Sequence, residues 1–169
     1  MTLQDDFQSD CANCAALCCL SLHFDAGESF AHSKPAGAPC AKLSGFGCSI
    51  HKDLTQKGYS GCVAYECLGA GQKVTALFDT TWRDDPKMTA PMMDAFRQMR
   101  SVQSVLQLLH TAAALPLPTL QEQERRQWLN HITTDQWTPR ALESFEDDGI
   151  EAKIKAWLRG LAAFMPKTD

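Results

Sequence analysis

Residues 11–19 read CANCAALCC and residues 39–67 read PCAKLSGFGCSIHKDLTQKGYSGCVAYEC. These two stretches hold all eight cysteines of the chain: Cys11, Cys14, Cys18, Cys19, Cys40, Cys48, Cys62 and Cys67. The order is C-x2-C-x3-C-C-x20-C-x7-C-x13-C-x4-C, and no cysteine follows Cys67. Cysteines used as ordinary core residues would be scattered through the chain. Grouping asks for a disulfide framework or a metal site.

Length and context favour metal. At 169 residues the chain can bury a core without staples. The opening MTLQDDFQSD has neither a basic nor an apolar leader region, so no signal peptide is expected. No apolar run approaches the roughly 18–20 residues that span a bilayer, so no membrane role is expected. The expectation is a cytoplasmic protein, in which thiols stay reduced and grouped cysteines bind metal.

Thiolates are soft donors that select zinc, copper(I) or iron–sulfur clusters over magnesium or calcium. Cys11 and Cys14 form a C-x2-C chelate and Cys62 and Cys67 a looser C-x4-C pair, both within structural zinc spacings. The adjacent side chains of Cys18 and Cys19 diverge, which suggests one sulfur for each of two sites, or one ligand and one packed thiol. Eight thiolates suit two four-coordinate ions, or one cluster with spare cysteines. Zinc or iron, in one or two sites, is the expected cofactor.

These residues resemble the YkgJ-like CxxCxxCC cysteine-cluster family of zinc- or iron-chelating domains, over about residues 8–75. The carrying segments are CANCAALCC, Cys40-Ala41-Lys42-Leu43, Cys48-Ser49-Ile50-His51 and Cys62-Val63-Ala64-Tyr65-Glu66-Cys67. The gap before Cys18–Cys19 is three residues where the family commonly has two, and His51 stands where Tyr is usual. GCVAYECLGAGQKV also resembles a cysteine-rich head that precedes pentapeptide repeats in some bacterial proteins; no such repeat is present here. The resemblance implies metal binding and no particular reaction.

Read in order, the chain predicts a polar arm over 1–10, a helical turn carrying Cys14 and Cys18, and a short strand over Leu20–Phe24. A Gly/Pro/Ser loop with His32 and Lys34 follows, then a glycine-punctuated turn at 43–50 and a short helix from His51 to a C-cap at Gly58. Val74, Leu77 and Phe78 suggest a further short helix. From Thr89 the pattern becomes helical throughout. Met92, Phe96, Met99, Val102, Gln103, Val105, Leu106, Leu109 and Ala113 make one apolar stripe. Three more helices are expected over about 119–133, from Pro139 to about 146, and over 150–164. Thr119 with Glu122 reads as a capping box, Thr138 caps the helix at Pro139, and Asp147-Asp148-Gly149 breaks it. The expected fold class is mainly α: a small irregular cysteine-rich metal-binding module over 1–75, packed on a C-terminal helical bundle over 76–169.

No nucleophile–base constellation is visible, and catalytic residues are not assigned. The first functional reading is a metal-binding protein whose closed thiolate shell is structural or handles metal. The second is an iron-dependent redox protein or enzyme, in which His23, His32 or His51 with Asp25 or Glu66 completes the site or moves protons. The third is an interaction module held in shape by metal, with an unidentified protein partner. His110, near the end of the long helix, reads as structural. The net charge of −4 and the sparse lysines argue against nucleic acid.

Overall fold

The computed structural model describes residues 5–134 and 136–164. The start of the expected N-terminal arm and Asp135 in the turn at 134–139 lie outside these residues. The chain divides into two compact units, Met1–Arg97 and Gln98–Asp169. Among the described residues there are seven α-helices and one two-stranded sheet.

A 3-10 turn at Asp5–Phe7 precedes a second at Cys11–Asn13, which is capped by the Asp10 carboxylate, accepting from the Ala12 N–H. The chain then extends through Cys14 and turns sharply at Ala16, whose φ of 56° is left-handed. That residue delays helix α1 to Leu17–Ser21, so Cys14 stays outside the helix that carries Cys18. Leu17 and Leu20 on α1 are almost wholly buried, at 0% and 1% exposure. Burial of this kind stabilises by about 1.5–3 kcal/mol per leucine.

The strand expected over Leu20–Phe24 shrinks to a single β-bridge. Phe24 and Lys34 exchange two backbone hydrogen bonds, of 3.0 and 2.7 Å, and residues 20–21 join α1 instead. A five-residue apolar alternation cannot hold a strand against a helix that already buries Leu17 and Leu20.

The glycine-punctuated turn is a hairpin. β1 (Leu43–Ser44) pairs antiparallel with β2 (Gly47–Cys48) in the register Leu43↔Cys48, Ser44↔Gly47. Gly45 supplies the positive φ, +59°, that its two-residue loop needs. The helix expected from His51 is only a 3-10 turn, His51–Asp53. Two short helices follow, α2 (Ser60–Ala64) and α3 (Ala70–Thr75). Trp82 is tied to the start of α1: its indole N–H donates to the Ala15 carbonyl at 2.7 Å in a buried position.

Helix α4, Thr89–Thr111, starts in the first unit and continues into the second. The predicted stripe is mostly its buried face: Met92, Phe96, Met99, Val102, Gln103, Val105 and Leu109 are buried, although Ala113 is exposed. The second unit adds α5 (Thr119–Ile132), α6 (Pro139–Asp147) and α7 (Ile150–Gly160). Thr138 caps α6 by accepting from the Ala141 N–H, and Gly149, at φ +63°, turns the chain into α7. By apolar period the helix over about 119–133 presents Leu120 to the core and Arg125 outside; both placements, and the capping box, fail on α5. Leu120 is 60% exposed, while Arg125, expected outside, is buried. Thr119 is the first helical residue rather than the cap, and Glu122 instead takes the guanidinium groups of Arg125 and Arg126 at 2.7 Å each.

The expected fold class therefore needs a correction. The chain is mainly helical, but the described residues contain no cysteine-rich metal-binding module. The cysteines sit on separate elements: Cys11 in a 3-10 turn, Cys18 and Cys19 on α1, Cys48 in β2, Cys62 on α2. The C-x2-C segment is not a closed chelating turn, because the capped 3-10 turn ends in an extended Cys14. The C-x4-C segment is likewise divided by the end of α2, with Tyr65 extended between Cys62 and Cys67.

Candidate functional site

All eight cysteines are free thiols. Cys11, Cys14, Cys18 and Cys67 line a small cavity of about 20 Å3 in the first unit, together with Ser9 and Gly71. Three cysteine-bearing segments line it, the stretch through Cys11–Cys14, α1, and the passage from α2 into α3, and Phe96 of α4 adds to the wall. Polar contacts tie these segments together. Ser9 Oγ lies 2.9 Å from Cys67 Sγ and donates to the Glu66 carboxylate. The Gln72 side chain gives its N–H to the Gln8 carbonyl at 2.8 Å and accepts from the Asp10 N–H at 3.2 Å. Thr75 Oγ1 accepts from the Ala15 N–H and donates to the Gly71 carbonyl, at 2.9 Å each.

Gly71 is required by crowding. A Cβ there would stand 2.6 Å from Cys14 Sγ and 3.8 Å from Cys67 Sγ. The absence of a side chain at 71 is what lets the two sulfurs approach α3.

The remaining thiols are Cys19, Cys40, Cys48 and Cys62. The Cys40 N–H donates to the Cys19 carbonyl at 3.0 Å, and Cys40 Sγ accepts from the Lys42 N–H at 3.5 Å. Cys62 feels the charge of Cys18, Cys40 and Cys48. Lys34 faces this group. Lys34 is 3% exposed, and its ammonium donates to the carbonyls of Leu20, Pro35 and Ala38 at 3.0, 3.0 and 2.7 Å. Burial lowers its pKa, and the neighbouring Cys40, Cys19 and Cys18 oppose that shift.

The thiols repel one another's ionised forms. Burial first, then Cys18, Cys14 and Cys67, raise the Cys11 pKa, and burial likewise raises that of Cys14. Cys18 is held protonated by its hydrogen bond to the Cys19 side chain and by burial. Burial and the three thiols around it push Cys62 up to about 11.

The expected metal chemistry does not survive this geometry. Among the described residues no group of three or more His, Cys, Asp or Glu side chains is placed to hold a metal ion. The zinc or iron cofactor, the metal-binding function and its iron-dependent and metal-stabilised alternatives are corrected accordingly. The four cavity cysteines share a wall without forming a coordination shell. The three candidate histidines lie outside the cavity lining. His23 faces Asp25 at 3.3 Å on the surface, His32 Nδ1 lies 2.9 Å from the Tyr59 hydroxyl, and His51 is exposed in its 3-10 turn. Glu66 is taken by Ser9 and by the Leu68 N–H, the latter at 3.0 Å.

Sequence reasoning missed Ser9, Gly71 and the role of Lys34. Only Lys34 left a trace, as a cation in a Gly/Pro loop just before Cys40. Nothing in the spacing marked Gly71.

No family model matches the chain, which, with the missing coordination shell, removes the support for the YkgJ-like resemblance. No solved structure matches it either. The chain is similar to the Bacillus subtilis (strain 168) protein "Uncharacterized protein YybG", at 36% identity over 166 residues. That alignment covers 94% of this chain and 60% of the relative, so the chain spans about 60% of that protein's length. No helix of the described residues is long and apolar enough to cross a membrane.

Proposed function

We propose that the first unit is a thiol–disulfide module: a set of reduced cysteines that pairs under oxidising conditions and so couples the local redox poise to the shape of the head. The observation that carries this reading is the cavity shared by Cys11, Cys14, Cys18 and Cys67, in which thiols from three chain segments meet behind Gly71. Thiols from distant segments that meet in one place are the raw material of disulfides, whereas isolated buried cysteines are inert.

The reading favours response over catalysis. Catalytic oxidoreductase thiols sit in electropositive surroundings that favour the thiolate. Here burial and neighbouring thiols raise the pKa of Cys11, Cys14 and Cys18, so exchange is slow and serves as a threshold. A reducing compartment such as the cytoplasm is the natural setting for eight unpaired thiols. The oxidant and reductant are then the small-molecule thiol pool or a dithiol protein.

The test is a thiol count by alkylation and intact mass, on protein equilibrated across a graded series of reduced and oxidised glutathione. Loss of thiols in pairs, reversed by dithiothreitol with unchanged helical content, supports the reading. Retention of all eight thiols at oxidising poise, or monomer loss into intermolecular cross-links, rejects it.

A further inference from the structure

One backbone hydrogen bond brings a particular pair of cysteines close together. The Cys40 N–H donates to the Cys19 carbonyl at 3.0 Å. Ordinary bond lengths across that contact put the two Cα atoms about 5–6 Å apart, inside the window of roughly 4.4–6.8 Å that disulfides occupy. The twenty residues between them are pinned rather than loose. Phe24 and Lys34 exchange their two backbone bonds, and the Gly37 N–H donates to the Leu20 carbonyl at 3.0 Å. Lys34 then fastens both ends. Its buried ammonium spans the carbonyl of Leu20, beside Cys19 on α1, and those of Pro35 and Ala38, which lead into Cys40.

A buried ammonium is costly without a counter-charge. The ion pairs among the described residues include none to Lys34. Three carbonyl contacts and the Phe24 ring, whose centroid lies 5.8 Å from the ammonium, hold it where a carboxylate partner would be expected. The return is a fixed separation between α1 and residue 40.

We propose that Cys19 and Cys40 form a disulfide as the specific redox pair of the head, with Lys34 as the positioning residue that presets their approach. The proposal rests on the thiol–disulfide reading of the first unit. In the reaction one member of the pair, as thiolate, attacks a sulfur of a low-molecular-weight disulfide and expels one thiolate, leaving a mixed disulfide. The second member attacks the protein sulfur of that bond and expels the other thiolate. Two protein thiols and one small disulfide become one protein disulfide and two small thiols, a two-electron exchange in which the leaving thiolates take up the two protons.

The experiment is chymotryptic mass mapping of the full chain after equilibration with oxidised glutathione, with free thiols alkylated first. The expected product joins a peptide carrying Cys18–Cys19 to one carrying Cys40. The linked pair is expected to survive in Cys18→Ser and to vanish in Cys19→Ser and Cys40→Ser. Lys34→Met is expected to lower the yield of this pair several-fold at fixed poise, with Lys34→Arg restoring part of it, while thiol loss at the Cys11, Cys14 and Cys67 cavity is unchanged. Thiols lost in pairs that never include a Cys19–Cys40 link would overturn this assignment and leave the broader reading standing. Eight thiols retained at oxidising poise would overturn both.

Discussion

Gly71 lies directly beneath the sulfur of Cys14: a Cβ at residue 71 would stand 2.6 Å from Cys14 Sγ. Position 71 is inside α3, where alanine is ordinarily the better helix former by about 1 kcal/mol. Crowding against a short, half-buried side chain outweighs that gain, since overpacking costs about 1–3 kcal/mol. Gly71→Ala should therefore lower the melting temperature and speed alkylation of Cys14. An unchanged melting curve with unchanged Cys14 reactivity would mean that the cavity is not crowded.

The interior of the first unit depends on one indole. Trp82 donates to the Ala15 carbonyl at 2.7 Å in a buried site, just ahead of the left-handed turn at Ala16 that sets the start of α1. Trp82→Phe keeps most of the ring and orphans the carbonyl, at a cost of about 1–3 kcal/mol. Urea melts followed by circular dichroism should show that loss as a lower midpoint at constant slope. A midpoint within experimental scatter of wild type would contradict the assignment.

Acid sensitivity of the second unit should trace to Glu122. Hydrogen bonds from Arg125 and Arg126 hold its carboxyl down from 4.5 to about 2. A carboxylate depressed on folding contributes stability that is present above its ordinary pKa of 4.5 and is lost as the pH falls toward 2. Glu122→Gln should flatten that part of the stability–pH curve, and little change is expected near neutrality beyond the lost ion pair. Identical acid limbs in the two proteins would show that Glu122 is not the group responsible.

Arg125 is the more consequential partner. It is 7% exposed and also donates to the Leu109 carbonyl at 3.2 Å, near the C-terminal end of α4. Arg125→Ala removes a buried charge-assisted contact and leaves both Glu122 and that carbonyl short of a donor. The loss should reach about 2–4 kcal/mol. Arg126→Ala, on the exposed side of the same carboxylate, should cost well under about 1 kcal/mol. Equal losses in the two variants, read by chemical denaturation, would refute the distinction.

The helices of the second half could be read directly because their signals are local and repeated. The three- and four-residue spacing of Met92, Phe96, Met99 and Leu109 marks the buried face of α4, and Thr138 and Gly149 mark where α6 begins and where the chain turns into α7. Where tertiary contacts decide, the pattern misleads. Leu120 looks like a core residue by period but is exposed, and Arg125 looks solvated but is buried because Glu122 and the Leu109 carbonyl complete its hydrogen bonds. The head was harder for a different reason. Spacing along the chain fixes how far apart cysteines are in sequence, not where their sulfurs point. Ala16 in the left-handed region and the extended Cys14 redirect the first chelate-like pair, and neither has a sequence signature. Grouped cysteines therefore suggested a metal shell that the described residues do not assemble.

The most direct test of the thiol–disulfide account is a redox titration of the intact, anaerobically purified chain, read as the number of alkylatable thiols at each glutathione ratio. The account predicts eight thiols at reducing poise and stepwise loss in twos, within one monomer, on moving to oxidising poise. Eight thiols persisting across the whole series would contradict it.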